Sequence, residues 1–192
     1  MNLLAIIFVA IFANNIVFSQ FLGVCPYLGV SKRLETALGM GIAVIFVMTM
    51  SSVVTWTVYN FLLVPLSLEY LRTIAFILII AGLVQLVETI LKKTNPVLFR
   101  ALGIYLPLIT TNCTILGVAI LNVQAGHNII ETVVYSISVA TGFTIALVIM
   151  AGIRERLDLA NVSDYLRGAA VSLVTAGILS LAFMGFKGMI TL

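Results

Sequence analysis

Two cysteines, Cys25 and Cys113, are the residues of this chain best suited to chemistry. Each opens the same short pattern, C-x-x-L-G-V: Cys25-Pro26-Tyr27-Leu28-Gly29-Val30 and, 88 residues later, Cys113-Thr114-Ile115-Leu116-Gly117-Val118. A free cysteine is ordinarily a small apolar packing residue. Repetition of the pattern, helix breakers near both copies and the lack of any other cysteine point instead to a shared role. Thiolates are soft ligands, which leaves an iron–sulfur cluster or another thiophilic metal as the options. With one histidine and no C-x-x-C, the chain cannot complete a four-thiolate site by itself, so a cluster needs two more cysteines from another chain.

The surroundings of both cysteines read as broken helix. Gly23 and Pro26 bracket Cys25, a proline disfavours helical backbone at the residue before it, and Pro107 lies six residues ahead of Cys113. Thr110, Thr111 and Asn112 are placed to satisfy the backbone groups such a break releases. The expected surroundings of a bound cluster are therefore Gly23, Pro26, Leu28, Gly29, Thr110, Thr111, Asn112, Leu116 and Gly117. Ionisable and amide side chains elsewhere are weaker candidates. Asn14, Asn15, Glu35, Glu88 and Glu131 are the candidates for an ion path, although Glu35 and Glu131 also suit helix entries, where a carboxylate favours the N-terminal dipole. Glu88 lies four residues before Lys92, the spacing of a helical ion pair. His127 reads as an interfacial side chain.

The elements that hold these residues must lie in a membrane. Of 192 residues, 62% are hydrophobic and 9% charged, against about 25% charged in a typical soluble domain, which excludes an ordinary water-soluble enzyme. Apolar runs between charged or turn-rich breaks predict six transmembrane helices near residues 3–24, 37–64, 71–91, 100–122, 130–153 and 167–190. The first has no Lys or Arg ahead of it and reads as a retained span rather than a signal peptide. Eight of the ten Lys and Arg fall in the first, third and fifth connections. By the positive-inside rule both termini are outside and the odd-numbered loops cytoplasmic. No nucleotide-binding motif and no nucleic-acid signature is present.

The two halves repeat. Besides the cysteine motifs, Leu34-Glu35-Thr36 corresponds to Ile130-Glu131-Thr132 at an offset of 96, and Glu69-Tyr70-Leu71-Arg72 to Asp164-Tyr165-Leu166-Arg167 and Ala81-Gly82 to Ala176-Gly177 at 95. An odd number of spans per copy turns the second copy over in the bilayer. The expected fold is thus an all-α integral membrane protein, one membrane domain over 1–192. It consists of two inverted-topology three-helix repeats (about 1–95 and 96–192), with broken helices at spans 1 and 4. Inverted repeats with broken helices also mark small secondary transporters or channel-like modules, and that cluster-free alternative stays open on the residues alone.

The stretches Val17-Phe18-Ser19-Gln20-Phe21-Leu22-Gly23-Val24-Cys25-Pro26 and Leu106-Pro107-Leu108-Ile109-Thr110-Thr111-Asn112-Cys113 carry a resemblance. With Leu34-Glu35-Thr36-Ala37 and Ile153-Arg154-Glu155-Arg156, they resemble the A-type membrane subunits of the bacterial Rnf electron-transport complex, a family related to the E-type subunits of the sodium-translocating NADH:quinone reductase. The resemblance implies a six-span inner-membrane protein paired with a homologous, inversely oriented partner, the E-type Rnf subunit. It implies one [2Fe-2S] cluster held in the membrane by two cysteines from each chain, here Cys25 and Cys113. It also implies a place in a redox-driven translocase that couples electron transfer between ferredoxin and NAD to Na⁺ or H⁺ transport. Flavin and further iron–sulfur centres would reside in other Rnf complex subunits.

Overall fold

The computed structural model describes residues 7–65, 69–94, 106–159 and 169–190, and all regular structure among them is helical. Pro96, Arg100 and the Asp164-Tyr165-Leu166-Arg167 motif lie outside the described residues. Among the described residues, four helical stretches are long and apolar enough to cross a bilayer: Leu34–Leu63, Arg72–Ile90, Pro107–Gln124 and Ile129–Leu157. A fifth apolar helix, Ala170–Gly185, is shorter.

In chain order, a π-helical turn Val9–Ala13 leads into α1 (Ile16–Gln20) and α2 (Val24–Val30). Helix α3 (Leu34–Val58) continues as a second π-helical turn, Tyr59–Leu63. Next come α4 (Arg72–Thr94), α5 (Leu106–Thr110), α6 (Cys113–Gln124), α7 (Ile129–Leu159) and α8 (Ala169–Ile190). Residues 7–30, expected as a span ending near 24, are short helical pieces that reach Val30. The α5–α6 stretch is likewise interrupted, at Thr111–Asn112.

The largest interhelical interface is the antiparallel pair α3 and α7. Small residues let the two backbones close in: a Cβ on Gly41 would sit 2.3 Å from Thr144 Cγ2. Around this seam Met40, Val44, Met48, Phe143, Leu147 and Met150 are fully buried. In a bilayer, lipid is as apolar as these side chains, so close packing rather than water exclusion holds such an interface together. Both ends of the pair are tied by hydrogen bonds. At one end Leu34 N–H donates to Glu155 Oε1 (2.9 Å), and at the other Trp56 Nε1–H donates to the His127 carbonyl (2.9 Å). Helix α6 packs on α3 and α7, α4 covers α3, α5 and α6, and α8 covers α1 and the first π-helical turn.

Helix α7 runs beyond its expected end at 153 because Arg154, the first charge after an uncharged run, has partners. Its guanidinium donates to the Leu28 carbonyl (2.8 Å), to Ser31 Oγ (3.2 Å) and through Nε to Ser172 Oγ (2.7 Å). One side chain thus joins the C-terminal end of α2 to α7 and α8. Cations are favoured at helix C-termini, and a hydrogen bond to a charged group contributes about 1.5–3 kcal/mol.

The α3–α7 seam is testable through its tightest point. Gly41→Ala should destabilise the protein by about 1–3 kcal/mol through overpacking, lowering the thermal midpoint in detergent. The double variant Gly41→Ala/Thr144→Ala, which removes the Cγ2 and Oγ1 atoms in the way, should recover most of that loss.

Candidate functional site

The two cysteine-bearing helices begin beside each other. Asn112 caps α6: its side-chain oxygen accepts the Thr114 N–H at 3.0 Å, satisfying one of the four amides that a helix start leaves open. Cys113 is the first residue of that helix. In the other half, Phe21 (φ +54°) and Gly23 (φ +81°) turn the chain through left-handed backbone before α2 starts at Val24. Cys25 is the second residue of α2.

Pro26 departs from its expected role. It does not end the helical backbone at Cys25; it sits in the first turn of α2, where an absent N–H is no loss. The break lies ahead of the cysteine, at Phe21–Gly23.

Gly23 is the junction. Its N–H donates to Cys113 Sγ at 2.9 Å. A Cβ there would lie 2.1 Å from Thr114 Oγ1 and 2.8 Å from a Phe143 ring carbon, so only glycine allows both the left-handed turn and the approach to α6. One turn further along α6, a Cβ on Gly117 would meet Leu22 Cδ1 at 2.7 Å, and one on Gly29 would meet Leu108 Cδ1 at 3.6 Å. Both thiols are exposed, while Pro26, Tyr27, Asn112 and Thr114 beside them are buried. A backbone N–H on sulfur is the kind of outer contact that orients a ligating thiolate.

Among the expected neighbours, Gly23, Pro26, Asn112 and Gly117 thus frame the junction, and Leu28 and Gly29 follow on α2. Leu116 is half-buried on α6, Thr110 ends α5, and Thr111 turns its hydroxyl back to the Pro107 carbonyl (2.9 Å).

The expected ion-path residues do not gather into one site. Asn15 caps α1 by accepting the Val17 N–H (3.2 Å) and donates from Nδ2 to the Gly142 carbonyl of α7 (2.9 Å). Asn14 accepts from Ser19 Oγ (3.0 Å). Glu131 Oε2 accepts the Asn128 N–H (3.0 Å) at the start of α7, which is a cap. Glu35 stands in the first turn of α3, at the opposite end of the antiparallel pair, and Glu88 lies on α4.

Sequence reasoning missed the Arg154 clamp and the Asn15–Gly142 bond. Their signals were the first charge after a long uncharged run and a paired Asn inside an apolar one.

As ligands for a metal centre, Cys25 and Cys113 fit half of a four-thiolate set. Both are accessible, they stand on adjoining helix starts, and among the described residues no group of three or more Cys, His, Asp or Glu is available to complete the set within this chain.

A family model described as "Rnf-Nqr subunit, membrane protein" matches residues 3–190. The chain belongs to this family. It is 58% identical over 189 residues, 98% of each chain, to the A component of the Na(+)-translocating ferredoxin:NAD(+) oxidoreductase complex of Acetobacterium woodii. It is 55% and 54% identical, over 95% of its length and 94% of theirs, to the A components of the ion-translocating oxidoreductase complexes of Escherichia fergusonii and Escherichia coli. Family membership and the apolar helices together make this Rnf-Nqr chain a multi-pass membrane protein.

Gly23→Ala tests the junction. Strain at φ +81° and the clash with Thr114 should together cost at least about 1 kcal/mol. The variant should insert into the membrane yet lose thermal stability, and Thr114→Gly in the same chain should restore part of it.

Proposed function

We propose that this chain is the A-type membrane component of an ion-translocating ferredoxin:NAD⁺ oxidoreductase complex. In this reading Cys25 and Cys113 are two of the four ligands of a [2Fe-2S] cluster, and the other two come from a homologous protein of opposite orientation. The names of the relatives support membership of such a complex. The observation that carries the ligand assignment is the Gly23 N–H···Sγ Cys113 contact, which holds the two cysteine-bearing helix starts together with both thiols open to a partner.

The fuller architecture belongs to the same proposal: six spans, two inverted three-helix repeats, both termini outside and odd-numbered loops on the cytoplasmic side of the bacterial inner membrane. It is supported by the antiparallel pairing of α3 and α7, which correspond to the second expected span of each half, and by the meeting of the Lys32–Arg33 connection with Arg154 and Glu155.

Bound there, a [2Fe-2S] cluster would supply one-electron transfer between carriers on the two sides of the membrane. The chain's own contribution is structural and electrostatic. Cys25 and Cys113 would hold the cluster from helix N-termini, where partial positive charge favours an anionic centre. Gly23 adds a backbone donor to one sulfur. Gly142 and Asn15 anchor the preceding break to α7, and Arg154 fixes the far end of α2. Short helical pieces joined by such anchored breaks can take up more than one arrangement, the property that coupling to Na⁺ or H⁺ movement requires.

Replacing Cys25 or Cys113 by Ser should reduce electron transfer from reduced ferredoxin to NAD⁺ by at least about a hundredfold, a loss of roughly 2.7 kcal/mol or more. The altered chain should still be present in the assembled complex on native gels. Activity within about twofold of wild type in both variants would refute the ligand assignment.

A further inference from the structure

Away from the cysteines, a cavity of about 160 Å³ opens between the end of α3, the C-terminus of α6 and the start of α7. Trp56, Tyr59, Asn60, Asn122, His127 and Asn128 line it. The lining holds no Lys or Arg, the C-terminal, partially negative end of α6 faces it, and the Glu131 carboxylate accepts the backbone N–H of Asn128, one of the lining residues. These features suit a cation and disfavour an anion.

A hydrogen-bonded track leads inward. His127 Nδ1 lies 3.0 Å from Asn122 Oδ1, Asn122 Nδ2 donates to Ser136 Oγ (3.2 Å), and Ser136 Oγ donates to the Thr132 carbonyl (2.7 Å). The Trp56–His127 bond and the Gly41–Thr144 approach set the register of α3 against α7, which puts Ser52 level with Thr132 and one turn below Trp56. Ser51, Ser52 and Thr132 are fully buried, and their hydroxyls have no hydrogen-bond partner. A buried hydroxyl left unpaired costs about 1–3 kcal/mol, and a water is the natural partner for such a group.

Past Asn122, the buried face of α6 turns apolar at Ala119, Val118 and Ile115, then polar again at Thr114 and Asn112 beside the cysteines. Thr114 Oγ1 and Asn112 Nδ2 are also buried without partners.

We propose that this cavity is a hydrated vestibule that admits a monovalent cation, Na⁺ or hydronium, from its face of the membrane along Asn122, Ser136 and Ser52, and that Ile115, Val118 and Ala119 close it toward the cysteine site in this conformation. Apolar constrictions of this kind gate by excluding water. The inference rests on the ion-translocating reading above and assigns it a path.

Two experiments on the intact complex in vesicles test it. Single cysteines at Asn60, Ser52 and Val118 are exposed to a small, membrane-impermeant cationic thiosulfonate, and modification of each introduced site is followed by mass spectrometry. The positions at Asn60 and Ser52 should react at least tenfold faster than that at Val118; equal protection of Ser52 and Val118 overturns the vestibule.

In the second, Asn122→Leu should lower redox-driven uptake at least tenfold while the iron–sulfur spectrum is kept, and Asn122→Asp should retain uptake. Radioactive sodium and an internal pH dye identify which ion is carried. Uptake by Asn122→Leu within twofold of wild type overturns the vestibule alone. Electron transfer by wild type with uptake of neither ion overturns the translocating reading, and this path with it.

Discussion

A backbone amide or carbonyl released at a helix break and buried away from water costs free energy unless another group pairs with it. That constraint shapes the cysteine end of this protein. The chain breaks before α1, before α2 and before α6, and named groups answer two of these breaks directly: Asn15 for the first and Asn112 for the third. Asn15 also reaches across to Gly142 of α7. At the second break the chain turns on left-handed backbone, and the freed Gly23 amide goes to the sulfur of Cys113. The interaction that satisfies the break therefore also joins the two halves at their only cysteines.

The frame for this junction is the α3–α7 pair, and its stiffness comes from small residues and end ties rather than from bulk. Gly41 admits Thr144, and Gly142 admits the Ile11 backbone, at distances too tight for an unadjusted side chain. Arg154 and Glu155 lock one end, while Trp56 and His127 lock the other. Ser180 of α8 holds the Phe18 carbonyl (2.8 Å), and the Phe18 ring stacks on Phe183 at 4.6 Å, so α1 is pinned on its outer side as well. A site built from short pieces thus stands against long, tightly registered helices.

Much of this was legible in the residues. Composition and uncharged runs predict membrane helices because hydrocarbon leaves a chain few other solutions, and Leu34–Leu63 and Ile129–Leu157 follow that pattern closely. The cysteines stood out because their motif occurs twice, and Gly23 because a glycine beside a suspected break has a conformational reason to be there. What could not be read was which partner answers each break. Pro26 looked like the breaker, yet a first-turn proline is compatible with helix, and the turn falls three to five residues earlier, where Phe21 carries no special signature. Arg154 looked like a loop charge that orients the protein; only the fold shows α2 ending within its reach. Asn15 and Asn112 gave away their polarity but not their contacts, since a cap and a cross-helix bond use the same side chain. His127 and Asn122 were separate polar residues until the helices placed them in one chain of hydrogen bonds.

We propose Cys25 and Cys113 as half of a shared cluster site. Its most direct measurement is iron content together with the reduced-state EPR spectrum of the purified complex, comparing wild type with Cys25→Ser and Cys113→Ser. Wild type should give a [2Fe-2S] signal that both substitutions remove, with a matching loss of two irons per complex. The same signal and iron content in wild type and both variants would contradict it.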